Sequence, residues 1–163
     1  MYEIKLTVDS NVVDLKKFSK MNFDVPLRNV AMAIQTDVKK NLRQSSTYRG
    51  PRMKRLADKT MKDKVKLGVA TTKMPLMRFR NMFRNIRVKK IGYNFWAVDF
   101  STTTSNAKAY YHNIAGAGAT SIIRQFFGVS KKRERWAIKY FETWVANKLK
   151  AGKRKQYGIS VLT

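Results

Sequence analysis

The sequence YYHNIAGAGATSIIRQFFGVS, residues 110–130, is the stretch around which the rest of the chain is organised. An aromatic pair precedes His112, the only histidine, and a loop of small residues follows, in which two glycines permit backbone angles that other residues avoid. A short apolar run then surrounds Arg124, and Gly128 precedes Ser130, a residue suited to begin a helix as its cap. No enzyme motif matches this pattern.

On both sides of this stretch, the spacing of apolar residues predicts alternating helices and strands. In order, the predicted elements are a strand at 2–8, a helix at 24–44, a helix at 56–67, a helix at 76–86, a hairpin of strands at 87–91 and 95–100, a third strand at 122–126 and a helix from Ser130 to about 150. Asp24 is the expected N-cap of the first long helix, with Pro26 in its first turn. Residues 44–55 and 101–106 read as polar loops, and 107–114 fits either a short helix or an extended run.

These elements predict an α+β fold, in which a small antiparallel sheet is packed by a long helix from the N-terminal half and a long C-terminal helix. We expect a single domain over residues 1–163, with its core at about 1–150 and a basic C-terminal arm at 151–163. The end of this arm is uncharged and β-prone, so it either remains a terminal arm or adds a strand to a neighbouring subunit's sheet.

The charge balance is extreme, with 35 lysines and arginines against 10 acidic residues and a formal net charge of +25. Such an excess favours a polyanionic or acidic partner. The chain has no cysteine, which excludes disulfides and cysteine metal sites. Neither a signal peptide nor an apolar stretch long enough to cross a bilayer is visible, so we expect a protein made in a cytoplasm or built into a particle there.

Catalysis is disfavoured by the residues available. His112 has no cysteine nucleophile to activate, and a triad would need Asp99 or a distant carboxylate in place. Asp58 and Asp63 are five residues apart and do not share a helix face. The glycine pair after His112 lacks the Gly-Lys-Ser/Thr ending of a phosphate loop. We therefore expect no catalytic, cofactor-binding or metal-binding residue.

Basic residues cluster instead. Arg49, Arg52, Lys54 and Arg55 lie in one predicted loop, and residues 64–90 hold nine basic residues and no acid. Four aromatic residues are interleaved with or follow this second cluster: Phe79, Phe83, Tyr93 and Trp96. Basic residues with aromatics can bind nucleic acid by phosphate contact and stacking, but helical spacing favours a core role for the aromatic residues. Contact of the basic residues with DNA and contact with an acidic protein surface both remain open.

Four motifs, in the same order, resemble those of the phage virion morphogenesis family, the tail-completion proteins of Mu-like and P2-like phages. The family patterns are Leu-Ser-Pro-x-Thr-x-x-x-Lys, then Pro-Leu, Thr-Gly, Leu and a closing Ile, then Tyr-Ala-x-x-His-Gln-x-Gly, then Pro-Ala-Arg-Pro-Phe-Leu-Gly followed by Ser and a helix. In the second motif, Phe79-Arg80 replaces Thr-Gly here. The corresponding residues here are Leu56, Thr60 and Lys64; Pro75, Leu76 and Ile86; Tyr110, Tyr111, His112 and Asn113; and Arg124, Phe126, Gly128 and Ser130.

The resemblance implies a structural virion protein of the neck or tail end, a tail-completion or tail-terminator type that joins the head connector to the tail. It implies a homo-oligomeric ring, expected to be a hexamer, in contact with connector and tail tube or sheath proteins, and possible contact with DNA in the channel. The alternatives are a basic nucleic-acid-binding protein acting on DNA outside a virion and, third, an enzyme acting on nucleic acid. The residues expected at subunit or partner interfaces are Arg49, Arg52, Lys54, Arg55, Arg78, His112, Arg124, Phe126 and Phe127.

Overall fold

The structure is a computed structural model that describes residues 20–54, 58–68, 81–116 and 121–156, the side chains of residues 64, 81 and 150–156 excepted. The chain divides into two compact units, Met1–Ser130 and Lys131–Thr163, which are described separately. The strand expected at 2–8, the interface residues Arg55 and Arg78, and the tail after residue 156 lie outside the described residues. The single-domain organisation stays a prediction.

Helix α1, Asp24–Gln44, is the first long helix that the apolar spacing predicts. It buries one stripe of side chains, which are Pro26, Leu27, Val30, Ala31, Ile34, Val38 and Leu42. The N-cap prediction for Asp24 is wrong, because Asp24 already lies in the first turn and Phe23 occupies the cap position. Its carboxylate instead accepts hydrogen bonds from Lys90 and from Trp96 Nε1, at 3.2 Å in the second case, and so joins the helix to the sheet.

The predicted hairpin is present as strands β1, Ile86–Gly92, and β2, Phe95–Phe100, in an antiparallel pair. Asn94 takes a left-handed backbone angle in the connecting turn, a conformation that asparagine tolerates. Helix α1 packs against this sheet, and Gln35 Nε2 donates to the Ile86 carbonyl oxygen at 2.8 Å. The α+β class is therefore confirmed, with a two-stranded sheet over the described residues.

The third predicted strand is wrong. Of the predicted residues 122–126, Ile122 forms only an isolated β-bridge and 123–126 form no strand; Ile123 is exposed, whereas the sequence pattern implied a paired apolar run. The Arg124 N–H instead donates to the His112 carbonyl oxygen, and the Phe126 carbonyl oxygen accepts from the Asn41 side chain.

Shorter helices complete the first unit. Helix α2, Asp58–Lys66, lies inside the predicted range 56–67, and helix α3, Asn81–Asn85, inside 76–86. The ambiguous stretch near 107–114 is helical: α4, Thr103–Tyr110, continues directly into a π-helix, Tyr111–Ala115. The loop predicted at 101–106 is thus partly wrong, because the Thr102 side chain caps α4 by accepting the Ser105 N–H.

The second unit contains helix α5, Lys131–Gln156, which begins directly after Ser130 as the sequence predicts. It is longer than expected and includes the first six residues assigned to the C-terminal arm. Along this helix, Arg133 lies over the Trp136 ring, which stacks on Tyr140 with centroids 5.3 Å apart. Within the described ranges, no helix is both long and apolar enough to span a membrane.

Candidate functional site

A small basic hairpin follows helix α1. Ser46 and Arg52 form an antiparallel bridge, and the Thr47 N–H donates to the Pro51 carbonyl oxygen at 2.7 Å. The Gly50 N–H closes the turn on the Thr47 carbonyl oxygen at 3.0 Å, and its φ of 112° is open to glycine but costly for other residues. The predicted loop is therefore an ordered turn, which we call the basic hairpin, residues 46–54.

The basic hairpin presents its charges outward. Arg49, Arg52 and Lys54 are all exposed, and none forms an ion pair with a carboxylate of the described residues. Arg49 lies over the Tyr48 ring at 5.4 Å, and its Nε donates to the Tyr48 hydroxyl at 3.1 Å. These contacts orient a cation without neutralising it, so the hairpin can bind an acidic surface.

The basic hairpin is attached to residues 124–128, part of the stretch that opened the sequence analysis. The Tyr48 N–H donates to the Gln125 carbonyl oxygen at 2.8 Å, and Arg124 Nε donates to the Lys54 carbonyl oxygen at 3.2 Å. The Tyr48 ring lies directly against Gly128, where an added Cβ would come within 2.6 Å of Tyr48 Cγ. We call this set of contacts, at both ends of the hairpin, the node.

Arg124 lies at the centre of the node. It is 4% exposed, and its burial lowers the pKa of the guanidinium, which stays protonated because the ordinary value is so high. Its backbone N–H donates to the His112 carbonyl oxygen at 2.6 Å. The structure shows a buried arginine that links the π-helix to the basic hairpin.

Asn113 holds the next part of the same segment. Its Nδ2 donates to the Phe127 carbonyl oxygen at 2.9 Å, and its Oδ1 accepts the Phe127 N–H at 3.0 Å. From helix α1, Asn41 Nδ2 donates to the Phe126 carbonyl oxygen at 3.2 Å. Side-chain amides thus satisfy backbone groups that a sheet partner would otherwise satisfy.

Phe126 and Phe127 are interior residues. Phe126 is fully buried and Phe127 is 7% exposed, and both rings contact Phe100 of β2, with centroids 6.4 Å and 5.3 Å away. This burial removes both residues from the predicted set of interface residues, and Arg124 with them. Of the predicted set, the described residues that remain accessible are Arg49, Arg52, Lys54 and the half-buried His112.

An open cavity of about 400 Å³ lies between β2 and helix α4. Asp99 lines it together with Tyr110, Asn113 and Ile114, but His112 does not. The cavity therefore does not bring His112 together with Asp99, the nearer carboxylate that a triad could have used. Among the described residues, no cluster of three histidine or acidic side chains is placed to hold a metal ion.

A second basic site lies on the flank of helix α1. Arg43 and Lys39 lie over the Phe83 ring, 4.7 Å and 5.7 Å from its centroid. Phe83 is half-buried, and Tyr93 is 69% exposed. The prediction of a core role for the interleaved aromatic residues is therefore wrong for Tyr93. Phe83 and Trp96 are each half-buried, and Phe79 lies outside the described residues.

Comparison with family models, with curated protein sequences and with solved structures found no match to this chain. The site's own geometry is thus the basis for a function.

Proposed function

We propose that the chain is a structural virion protein of the phage neck or tail end, which assembles as a ring and joins the head connector to the tail. The node supports this proposal. Three residues of the fourth motif have demanding structural roles there: Arg124 donates to the basic hairpin, Phe126 is fully buried, and Gly128 leaves room for the Tyr48 ring. Because these residues of the fourth motif specify the packing of the segment, we expect the motif to occur together with the fold that it stabilises.

The basic hairpin is the proposed docking surface. Backbone bonds and interior side chains hold it, while its three described cations are exposed and have no carboxylate partner among the residues described. An ordered cationic surface binds an acidic neighbour with less loss of side-chain and loop entropy than a flexible one. Charge matching of this kind governs partner choice and encounter rate more than affinity.

In this proposal, copies form a six-membered ring in the virion, assembled in the host cytoplasm. Connector, tail tube or sheath proteins supply the acidic surface. A large positive charge on each copy opposes self-association through repulsion. An acidic connector surface would relieve that repulsion, so we expect the ring to be most stable when docked.

The test is charge reversal of the basic hairpin, with Arg49→Glu, Arg52→Glu and Lys54→Glu combined. Because all three side chains are exposed, the circular dichroism spectrum and the melting temperature should stay close to those of the wild type. Cells in which this variant replaces the wild type should accumulate unjoined heads and tails, which are counted by electron microscopy.

A matched control reverses the charge of three exposed lysines in helix α5 of the second unit, Lys131, Lys132 and Lys139. It makes the same change in net charge and should leave joining intact. Normal joining by the hairpin variant, or equal loss in the control, would show that the basic hairpin is not the docking surface.

A further inference from the structure

Two basic side chains of helix α1, Lys39 and Arg43, lie over the Phe83 ring, and this arrangement is independent of the proposed role in the virion. Lys39 and Arg43 are four residues apart on α1, so their positions are about 6 Å apart along the helix axis. Both place their charged groups over one aromatic ring, within 5.7 Å of its centroid. Two like charges repel at such a separation, and the electron-rich ring face offsets part of that repulsion.

An aromatic partner differs from a carboxylate partner in what it leaves available. A carboxylate would neutralise Lys39 or Arg43 and occupy its N–H donors, whereas the Phe83 ring orients the two side chains and leaves their charge and donors in place. Neither residue is paired with a carboxylate of the described chain. Over the part of the chain that the structure describes, the cluster is therefore a pair of oriented cations without a carboxylate partner.

The surroundings of the cluster favour a phosphate backbone over a protein surface. Thr36, Lys40 and Gln44 lie on the neighbouring exposed positions of α1, so the surface beside the cluster is mainly polar, with Met32 as an exposed apolar side chain one turn before Thr36. Residues 38–57 include no acidic residue, so positive charge continues from the cluster into the basic hairpin. A guanidinium beside an ammonium suits phosphate oxygens, which accept bonds from both.

We propose that Lys39, Arg43 and Phe83 form a phosphate clamp for double-stranded DNA. Lys39 and Arg43 each contact a backbone phosphate, and Phe83 holds them in position rather than stacking on a base. A duplex suffices as ligand, because the contact needs no exposed base. The clamp reads no sequence, since phosphate contacts position a protein on DNA without specifying bases.

The test measures binding of a fluorescently labelled, mixed-sequence DNA duplex to nuclease-treated full-length protein, by anisotropy over a series of salt concentrations. Each phosphate contact contributes about 0.9 to the slope of log K against log salt. The double variant Lys39→Gln/Arg43→Gln should therefore make that slope shallower, reducing its magnitude by about 1.8. The matched control, Lys131→Gln/Lys132→Gln, removes two exposed charges from α5 and should keep the wild-type slope.

A third variant separates the role of the ring from that of the charges. Phe83→Leu keeps both cations, so the salt slope should stay unchanged while affinity falls about two- to fivefold through loss of the oriented geometry. Melting temperatures identify any variant that fails to fold. A wild-type slope in the Lys39/Arg43 variant, an equal fall in the control, or no duplex binding by the wild type would overturn the clamp. Ring formation is not measured in this assay, so either proposal can fail while the other stands.

Discussion

Replacing Gly128 by alanine should destabilise the fold through one side chain, Tyr48. An ideal Cβ at position 128 would lie 2.5 Å from Tyr48 Cδ1 and 2.6 Å from Cγ, and Cβ atoms do not approach other atoms to less than 3.0 Å. Cγ lies at the root of a rigid ring. The Tyr48 N–H donates to the Gln125 carbonyl oxygen, and the Tyr48 hydroxyl accepts a hydrogen bond from Arg49 Nε. A ring shift large enough to admit the Cβ would therefore disturb the hydroxyl bond to Arg49 and the packing of the node.

Overpacking of this kind costs about 1–3 kcal/mol of the free energy of unfolding. For a chain of this length, each kcal/mol lowers the melting temperature by about 2–4 °C. The backbone at Gly128 does not take a positive φ, so alanine itself is tolerated there. In a Tyr48→Ala background, Gly128→Ala should change sign and stabilise by about 0.4–1 kcal/mol, because alanine restricts the unfolded chain more than glycine.

Urea denaturation followed by circular dichroism measures the free energy of unfolding of all four proteins in this double-mutant cycle. Equal m values, the dependence of that free energy on urea concentration, would show that only stability changes. Gly92→Ala is the control, because a Cβ there would meet nothing closer than 4.0 Å, and its effect should stay within about 0.5 kcal/mol. An equal cost of Gly128→Ala with and without the Tyr48 ring would refute the reasoning.

Two further predictions concern Asn113 and Asp24. Asn113→Ala removes both bonds to the Phe127 backbone and should lower the free energy of unfolding by about 1–3 kcal/mol. Asn113→Asp should not restore stability, because a carboxylate cannot donate to the Phe127 carbonyl oxygen. Midpoints of urea denaturation measure both variants. The hydrogen bond from Lys90 holds the pKa of Asp24 below its usual range. Its contribution to stability is thus present above about pH 4 and lost as pH falls further. Asp24→Asn should lower the melting temperature at pH 7 and converge with the wild type at acid pH, and a constant difference across pH would contradict this assignment.

The sequence predicts elements whose signal is local. Helix α1 is predictable because its apolar residues recur at three and four, and all seven that it buries lie on that stripe. The β1–β2 hairpin is predictable because two β-prone runs flank a short turn. In contrast, α4 has a polar sequence, and its position depends on contacts distant in the chain, such as the Asn85 Nδ2 bond to buried Ser105 at 2.9 Å.

The candidate site was predictable in its charges but not in its geometry. Exposure of Arg49, Arg52 and Lys54 follows from the high cost of burying unpaired cations. The burial of Arg124 does not follow, because its Lys54 acceptor is a backbone carbonyl 70 residues away in the chain. The Phe126 carbonyl oxygen likewise bonds to Asn41, 85 residues away in the chain, so the apolar pattern of this segment imitates a strand.

The most direct test of the proposed virion role is the mass of the purified, nuclease-treated protein by light scattering at low and high salt, with negative-stain images of the same samples. The proposal predicts a discrete ring with about six times the mass of the 18.9 kDa chain, maintained or strengthened at high salt, which screens the repulsion between copies. A monomer at both salt concentrations would contradict it, and if that monomer also binds DNA with a steep salt slope, a free nucleic-acid-binding protein is favoured.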